Sequence, residues 1–189
     1  MKRETREAEV NLEIDFEKRK EFQINTPLAF FNHMVETLAW NACMNIKLDF
    51  KAKTYPLAHV ITEDCGLLLG KALLEQFKEK EGNGFAIRCI DEAQALAVIS
   101  IEGRANSYFD FNNKDLNLKK VDDTLGADLK AFIDGLAQGL KATIQVKILQ
   151  GEDPHHLWEA VFRSLGIAIR QSFQKNNWRP ICGVKGTLE

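Results

Sequence analysis

From Glu7 to Phe16 the chain alternates without a break, with Ala8, Val10, Leu12, Ile14 and Phe16 on one side and Glu7, Glu9, Asn11, Glu13 and Asp15 on the other. That two-residue period predicts a half-buried strand. A turn over Lys18–Lys20 leads to a short returning strand at Phe22–Ile24. Thr26-Pro27 then supplies a cap and a first-turn proline for a helix to about Ala42, carrying Phe30, Phe31, Met34, Leu38 and Ala39 inward. Alternation resumes at Ile46, Leu48 and Phe50, and a second helix is predicted from Ala58 to about Lys80, where Gly82 and Gly84 break it. The same order follows again. Strands are predicted at Phe85–Asp91, Gln94–Glu102 and Ser107–Phe111, then a helix from Asp123 to about Ala142 capped by that aspartate. A strand through Ile144, Val146 and Ile148 comes next, and Asp153-Pro154 opens a last helix to about Gln174.

Strands, helix, strand, helix therefore occurs twice, and single residues keep the period: His59 and Glu63 match His155 and Glu159, and Gly70 matches Gly166, all at an offset of 96 residues. The expected fold class is α+β, a tandem repeat of two similar halves, each a mostly antiparallel sheet with helices on one face. The 189 residues form a single unit of two pseudo-repeats, approximately 1–84 and 85–189, with no linker between them.

Composition narrows the function classes. With 45% hydrophobic and 28% charged residues the chain can bury a core. Twenty-five Lys and Arg against 27 Asp and Glu leave no basic field for nucleic acid or an anionic membrane, so neither is expected as a partner. An anionic substrate would have to be met by local charges. Cys43, Cys65, Cys89 and Cys182 stand far apart with no CxxC pair, which fits reduced thiols and a cytoplasmic location.

The chemistry sits in four histidines. Residues four apart share a helix face, so His59 with Glu63 and His155 with Glu159 each offer an imidazole and a carboxylate to one point, half of a metal site. One such pair is commonplace, whereas two in corresponding places of a repeat point to metal. His156, about 100° around the helix from His155, would serve a second ion. The positive end of the helix dipole is expected to disfavour protonation of both. Imidazole and carboxylate without thiolate suit manganese, iron or zinc. His33, inside the apolar FFNHM segment, reads by itself as a core histidine.

Together these motifs resemble the imidazoleglycerol-phosphate dehydratase family. Arg3-Glu4-Thr5-Arg6-Glu7 is similar to its amino-terminal RxTxE, Phe30-Phe31-Asn32-His33-Met34 to its FFDHM, and His59-Val60-Ile61-Thr62-Glu63-Asp64 to its HHTVED helix. Asp91-Glu92-Ala93 resembles its DEA strand and Gly103-Arg104 its SGRP turn. His155-His156-Leu157-Trp158-Glu159-Ala160 resembles its second HHxxEA helix and Lys185-Gly186 its SxKG ending. The resemblance implies a lyase of histidine biosynthesis that removes water from imidazole glycerol phosphate, a small phosphorylated imidazole substrate, to give imidazole acetol phosphate. It implies homo-oligomers, trimers that assemble to a 24-mer, with two Mn2+ ions per active site held between subunits. One ion would take His59, Glu63 and His156, the other His33, His155 and Glu159. Glu7 would transfer a proton, and Arg104 and Lys185 would bind phosphate.

The chain departs from that pattern at particular positions. Val60 stands where the first motif has its second histidine, and Gln145 where the family has a histidine on the strand before the last helix, so each ion loses one protein ligand. Asn32 replaces the aspartate of FFDHM, Gly183 the tail serine, and the paired arginines after the first long helix have no counterpart. Three readings stay open: a divergent dehydratase, a catalytically impaired paralogue that keeps the fold and assembly, and a metal enzyme for another phosphorylated substrate.

Overall fold

The structure is a computed structural model that describes residues 1–179 and 182–188. Its first half runs β1 (Lys2–Glu4), β2 (Ala8–Asp15), β3 (Gln23–Asn25), α1 (Ala29–Ala42), β4 (Asn45–Ala52) and α2 (Ala58–Glu75). The second half runs β5 (Asn83–Ile90), β6 (Ala93–Ser100), β7 (Asn106–Asp110), the short pair β8 (Lys120–Val121) and β9 (Thr124–Leu125), α3 (Gly126–Leu140), β10 (Thr143–Gln150) and α4 (Pro154–Ser172). The two large sheets have one topology, β1-β2-β4-β3 and β5-β6-β10-β7. Each is antiparallel except for its last pair, β3 with β4 and β7 with β10. The α+β fold of two similar halves expected from the alternating pattern is the one observed.

The inward residues of the strands are those the alternation marks. Val10 pairs with Phe50 and Leu12 with Leu48 across β2 and β4, all four buried. On the second sheet β6 presents Ala93, Ala95 and Ala97 inward, small enough for α4 to lie close, and the Ser164 hydroxyl on α4 reaches the Ala95 carbonyl at 2.8 Å. Trp158 and Phe162 fill the remaining space and are fully buried. The helices pack across the two halves as α1 on α4 and α2 on α3, so both halves share one continuous core. These contacts are backbone-close. A β-carbon on Gly166 of α4 would collide with the Leu38 carbonyl oxygen of α1 and lie 2.8 Å from Asn41 Cβ, and its repeat equivalent Gly70 meets the backbone of α3 in the same way.

Three details correct the sequence reading. The second helix ends at Glu75 rather than Lys80, because the chain turns so that Phe77 packs against Phe173, ring centroids 5.7 Å apart, while Glu81 and Gly82 donate to Gln174 and Ser172 carbonyls. Asp123 does not cap its own helix. Its carboxylate accepts from the Ala29 and Phe30 amides at 2.5 and 3.1 Å, capping α1 from the other half, and α3 starts at Gly126 with Asp128 accepting from Leu125 N. Thr26 lies outside α1, where its hydroxyl accepts from Leu28 N and donates to Asn32 Oδ1 at 2.6 Å.

The outer faces of the two sheets differ. The first carries Glu9, Asn11, Glu13, Lys47 and Asp49, laced by ion pairs such as Lys47–Glu13 at 3.4 Å. The second presents Phe85, Ile87 and Tyr108, more than half exposed, beside the half-buried Leu96 and Val98. Among the described residues no helix is long and apolar enough to cross a membrane.

Replacing a helical glycine by alanine normally favours the helix by up to about 1 kcal/mol. At Gly166 the collision with α1 should outweigh that gain, since overpacking costs roughly 1–3 kcal/mol. Urea denaturation of Gly166→Ala is expected to show a lower midpoint than the parent; a higher midpoint would show that α1 and α4 are not packed backbone to backbone.

Candidate functional site

The packing of α1 on α4 places His33 beside the first two turns of α4. His33 Nε2 lies 3.5 Å from Glu159 Oε2, and His155 Nε2 lies 3.7 Å from the same oxygen. These three ligand atoms sit within 4.8 Å of one another, and among the described residues they are the one group of three His, Cys, Asp or Glu side chains so arranged. His33 is no core histidine: its side chain is 45% exposed, because the buried stripe of α1 is carried by residues such as Phe31, Met34, Val35 and Leu38 instead. The His33 and His155 rings stand 5.8 Å apart, with Phe30 packed 4.9 Å from His155.

Glu159 is the buried member, its side chain 8% exposed. A carboxylate so placed needs positive partners. Arg163, one turn on, supplies them to Oε1 through its NH2 at 2.6 Å and Nε at 3.1 Å, and its NH1 reaches the Cys89 carbonyl. Oε2 remains turned toward the two imidazoles. Beside the triad is an open cleft of about 460 Å³, lined by Thr37, Asn41, Arg88 and Arg163 together with His33 and Glu159. Separations of 3.5 and 3.7 Å fit donors that share one ion about 2.1 Å from each. Two imidazoles and a carboxylate are a fitting donor set for a divalent transition metal.

The other expected ligands are not gathered in one chain. His59 and Glu63 form a pair at 3.4 Å on the exposed start of α2. His156 instead turns to the β5–β6 turn, where its Nδ1 lies 2.8 Å from Glu92 Oε2 and its Nε2 3.5 Å from Asp91 Oδ2. Glu92 Oε1 accepts from the Glu152 and Asp153 amides at 3.1 and 2.9 Å. The Asp153 amide, the His156 ring and the Glu152 amide hold the Glu92 carboxyl down to about 2. The hydrogen bond to Glu92 in turn raises the His156 pKa, so at this residue the carboxylate outweighs the helix end expected to lower it.

Glu7 is exposed in the turn between β1 and β2, its carbonyl accepting from Lys53 N. In the same motif Arg3 donates to the buried Asp64 at 2.7 Å and ties β1 to α2. Arg104 follows the far end of β6, eight residues or about 25 Å from the Glu92 end. Lys185 is exposed in the tail turn closed by Gly186 N to Gly183 O. Val60 is half-buried against the core, and Gln145 lies on the outer face of β10, paired with Tyr108. Arg163, Arg88, Glu92 and Asp122, whose Oδ2 lies 3.3 Å from His155 Nδ1, had no assigned role in the sequence reading. Of these, Arg163 carried a readable signal in its four-residue spacing from Glu159, and Glu92 lay in the Asp91-Glu92-Ala93 motif without a role.

Comparison with known proteins fits this arrangement. Residues 26–169 match the family model described as imidazoleglycerol-phosphate dehydratase. The chain is 34% identical to the imidazoleglycerol-phosphate dehydratase of Methanocella arvoryzae, covering 98% of this chain and 96% of that one. It is 36% identical to that of Pyrococcus furiosus, over 90% and 91%. A crystal structure of the Pyrococcus furiosus protein superposes with a TM-score of 0.82 at 35% identity, covering 98% of this chain and 99% of that one. The Staphylococcus aureus structure, at 24% identity over 89% and 95% with a TM-score of 0.77, shares the fold.

Loss of a donor from the triad should weaken Mn2+ binding by more than the roughly 10–100-fold that loss of an outer partner costs. His155→Ala and Glu159→Gln, titrated with Mn2+ and read by electron paramagnetic resonance, are each expected to show this. Unchanged affinity in both would remove the triad as a metal centre.

Proposed function

The chain belongs to the imidazoleglycerol-phosphate dehydratase family, and from that premise we propose that it dehydrates imidazole glycerol phosphate to imidazole acetol phosphate with the help of two Mn2+ ions. The reaction is a lyase step of histidine biosynthesis. What supports the metal reading is the convergence of His33 Nε2, His155 Nε2 and Glu159 Oε2 on one point.

Dehydration takes a proton and a hydroxyl from neighbouring side-chain carbons, and the attached imidazole must share the charge that develops. A bound divalent cation supplies Lewis-acid stabilisation for that charge. His33, His155 and Glu159 would hold one such ion, with the Arg163 guanidinium fixing the Glu159 side chain through Oε1. His59 and Glu63 would hold the other, meeting a His156 across a subunit boundary. Glu7, on an exposed turn, would be the proton-transferring carboxylate. Arg104 and Lys185 are exposed cations for the phosphate.

Glu7, Arg104 and Lys185 stand on turns and the tail, away from the helices α1 and α4 that carry the triad, so the reading calls for assembly. The exposed Phe85 and Ile87 on β5, continued by Leu96 and Val98 on β6, form an apolar patch absent from the equivalent face of the first sheet, which supports a second copy as its cover. Trimers built into a 24-mer are the assembly proposed, in the cytoplasm, where four unpaired thiols stay reduced.

Val60 and Gln145 favour a second reading, a paralogue that keeps fold and assembly with impaired turnover, because neither side chain replaces an imidazole as a ligand. One assay separates the two. Protein loaded with Mn2+ is expected to form imidazole acetol phosphate, to stop when the metal is chelated, and to recover when Mn2+ is returned. No product from the loaded, assembled protein would overturn the dehydratase reading. Ile87→Glu should both break the assembly on sedimentation and abolish turnover.

A further inference from the structure

An imidazole can bind a metal through one nitrogen only if its proton sits on the other. On α4 two adjacent histidines face this requirement in different directions, and each has a carboxylate against the same ring atom. His156 Nδ1 is 2.8 Å from Glu92 Oε2 and His155 Nδ1 is 3.3 Å from Asp122 Oδ2. An ionised carboxylate only accepts, so it draws the ring proton to Nδ1 and leaves the lone pair on Nε2. For His155 that Nε2 is the atom facing Glu159 in the triad.

Glu92 is the better fixed of the two carboxylates. Its second oxygen accepts from the Glu152 and Asp153 amides, so the β5–β6 turn is bonded to the loop that opens α4. The His156 ring is thus oriented from a neighbouring hairpin rather than by its own helix. We infer that Glu92 is a positioning residue for metal binding: it fixes the Nδ1–H tautomer of His156 and presents Nε2 as the ligand atom. An acceptor on one ring nitrogen also makes the other a stronger donor. This matters more here than in a fully furnished site, because Val60 and Gln145 leave each ion fewer imidazoles. The inference rests on the metal reading proposed above.

The test uses Glu92→Gln in the full-length protein, with Mn2+ as the probe. The glutamine oxygen can still accept from the two loop amides, while its NH2 group then faces His156 Nδ1 and, being a donor, favours the opposite tautomer. In metal-free protein at a pH well above the imidazole range, two-bond 1H–15N correlation is expected to find His156 protonated at Nδ1 in the parent and at Nε2 in the variant. The ion that uses His156 is expected to bind 10–100-fold more weakly in the variant, with the melting temperature unchanged. Equal Mn2+ affinities, or an Nε2–H tautomer already present in the parent, would overturn the positioning role. A parent protein that binds no Mn2+ at all would instead overturn the metal reading beneath it. Glu92→Asp, too short to reach both partners, is expected to recover less than half of the lost affinity, and full recovery would also count against the geometry.

Discussion

Everything at the site depends on two helices from opposite halves touching backbone to backbone. Gly166 has no β-carbon, and only for that reason can α4 lie against the Leu38–Ala42 turn of α1. That contact sets His33 level with His155 and Glu159, eleven and seven residues back along α4 from the glycine. The repeat equivalent, Gly70 against α3, fixes α2 in the same manner and so sets where His59 and Glu63 emerge. The conformational cost of a helical glycine is offset by a close approach that no larger residue permits.

The second constraint is electrostatic. Glu159 is buried in a helix interface, where an unpaired carboxylate would be costly. Arg163 satisfies one oxygen and leaves the other facing two imidazoles. Oε2 is thereby left free to accept from, or share an ion with, the two imidazoles. A similar division recurs at His156, where Glu92 holds Nδ1 at 2.8 Å while Nε2 has only the more distant Asp91 carboxylate, 3.5 Å away. The outer faces of the two sheets differ in the same sense: the first is largely charged, whereas the second exposes Phe85 and Ile87 on β5 beside Leu96 and Val98, with Gln145 and Lys147 on β10.

Much of this was legible in the sequence because it is local. The alternation through Ala8–Phe16 marks the buried side of β2, and the paired HxxxE spacing marks the two helices on which a histidine and a glutamate stand together, each readable within one turn. The misreadings come from contacts between residues far apart. Asp123 looks like the cap of the helix that follows it, yet it caps α1, 94 residues earlier. Lys80 looks helical until Phe77 is drawn out of line by Phe173. His33 looks buried in an apolar segment because a linear string does not show which side of α1 faces α4. His156 was expected to resist protonation at a helix start, and no local pattern shows that Glu92 reaches it from another hairpin. The short pair β8 and β9, which brings Asp122 to His155, has too little sequence to declare itself.

The central claim is that His33, His155 and Glu159 hold a metal ion, and crystals grown with Mn2+ and measured at the manganese absorption edge test it directly. The predicted result is an anomalous peak bonded to His33 Nε2, His155 Nε2 and Glu159 Oε2. Well-ordered side chains at those three positions, with no peak within bonding distance of them, would contradict it.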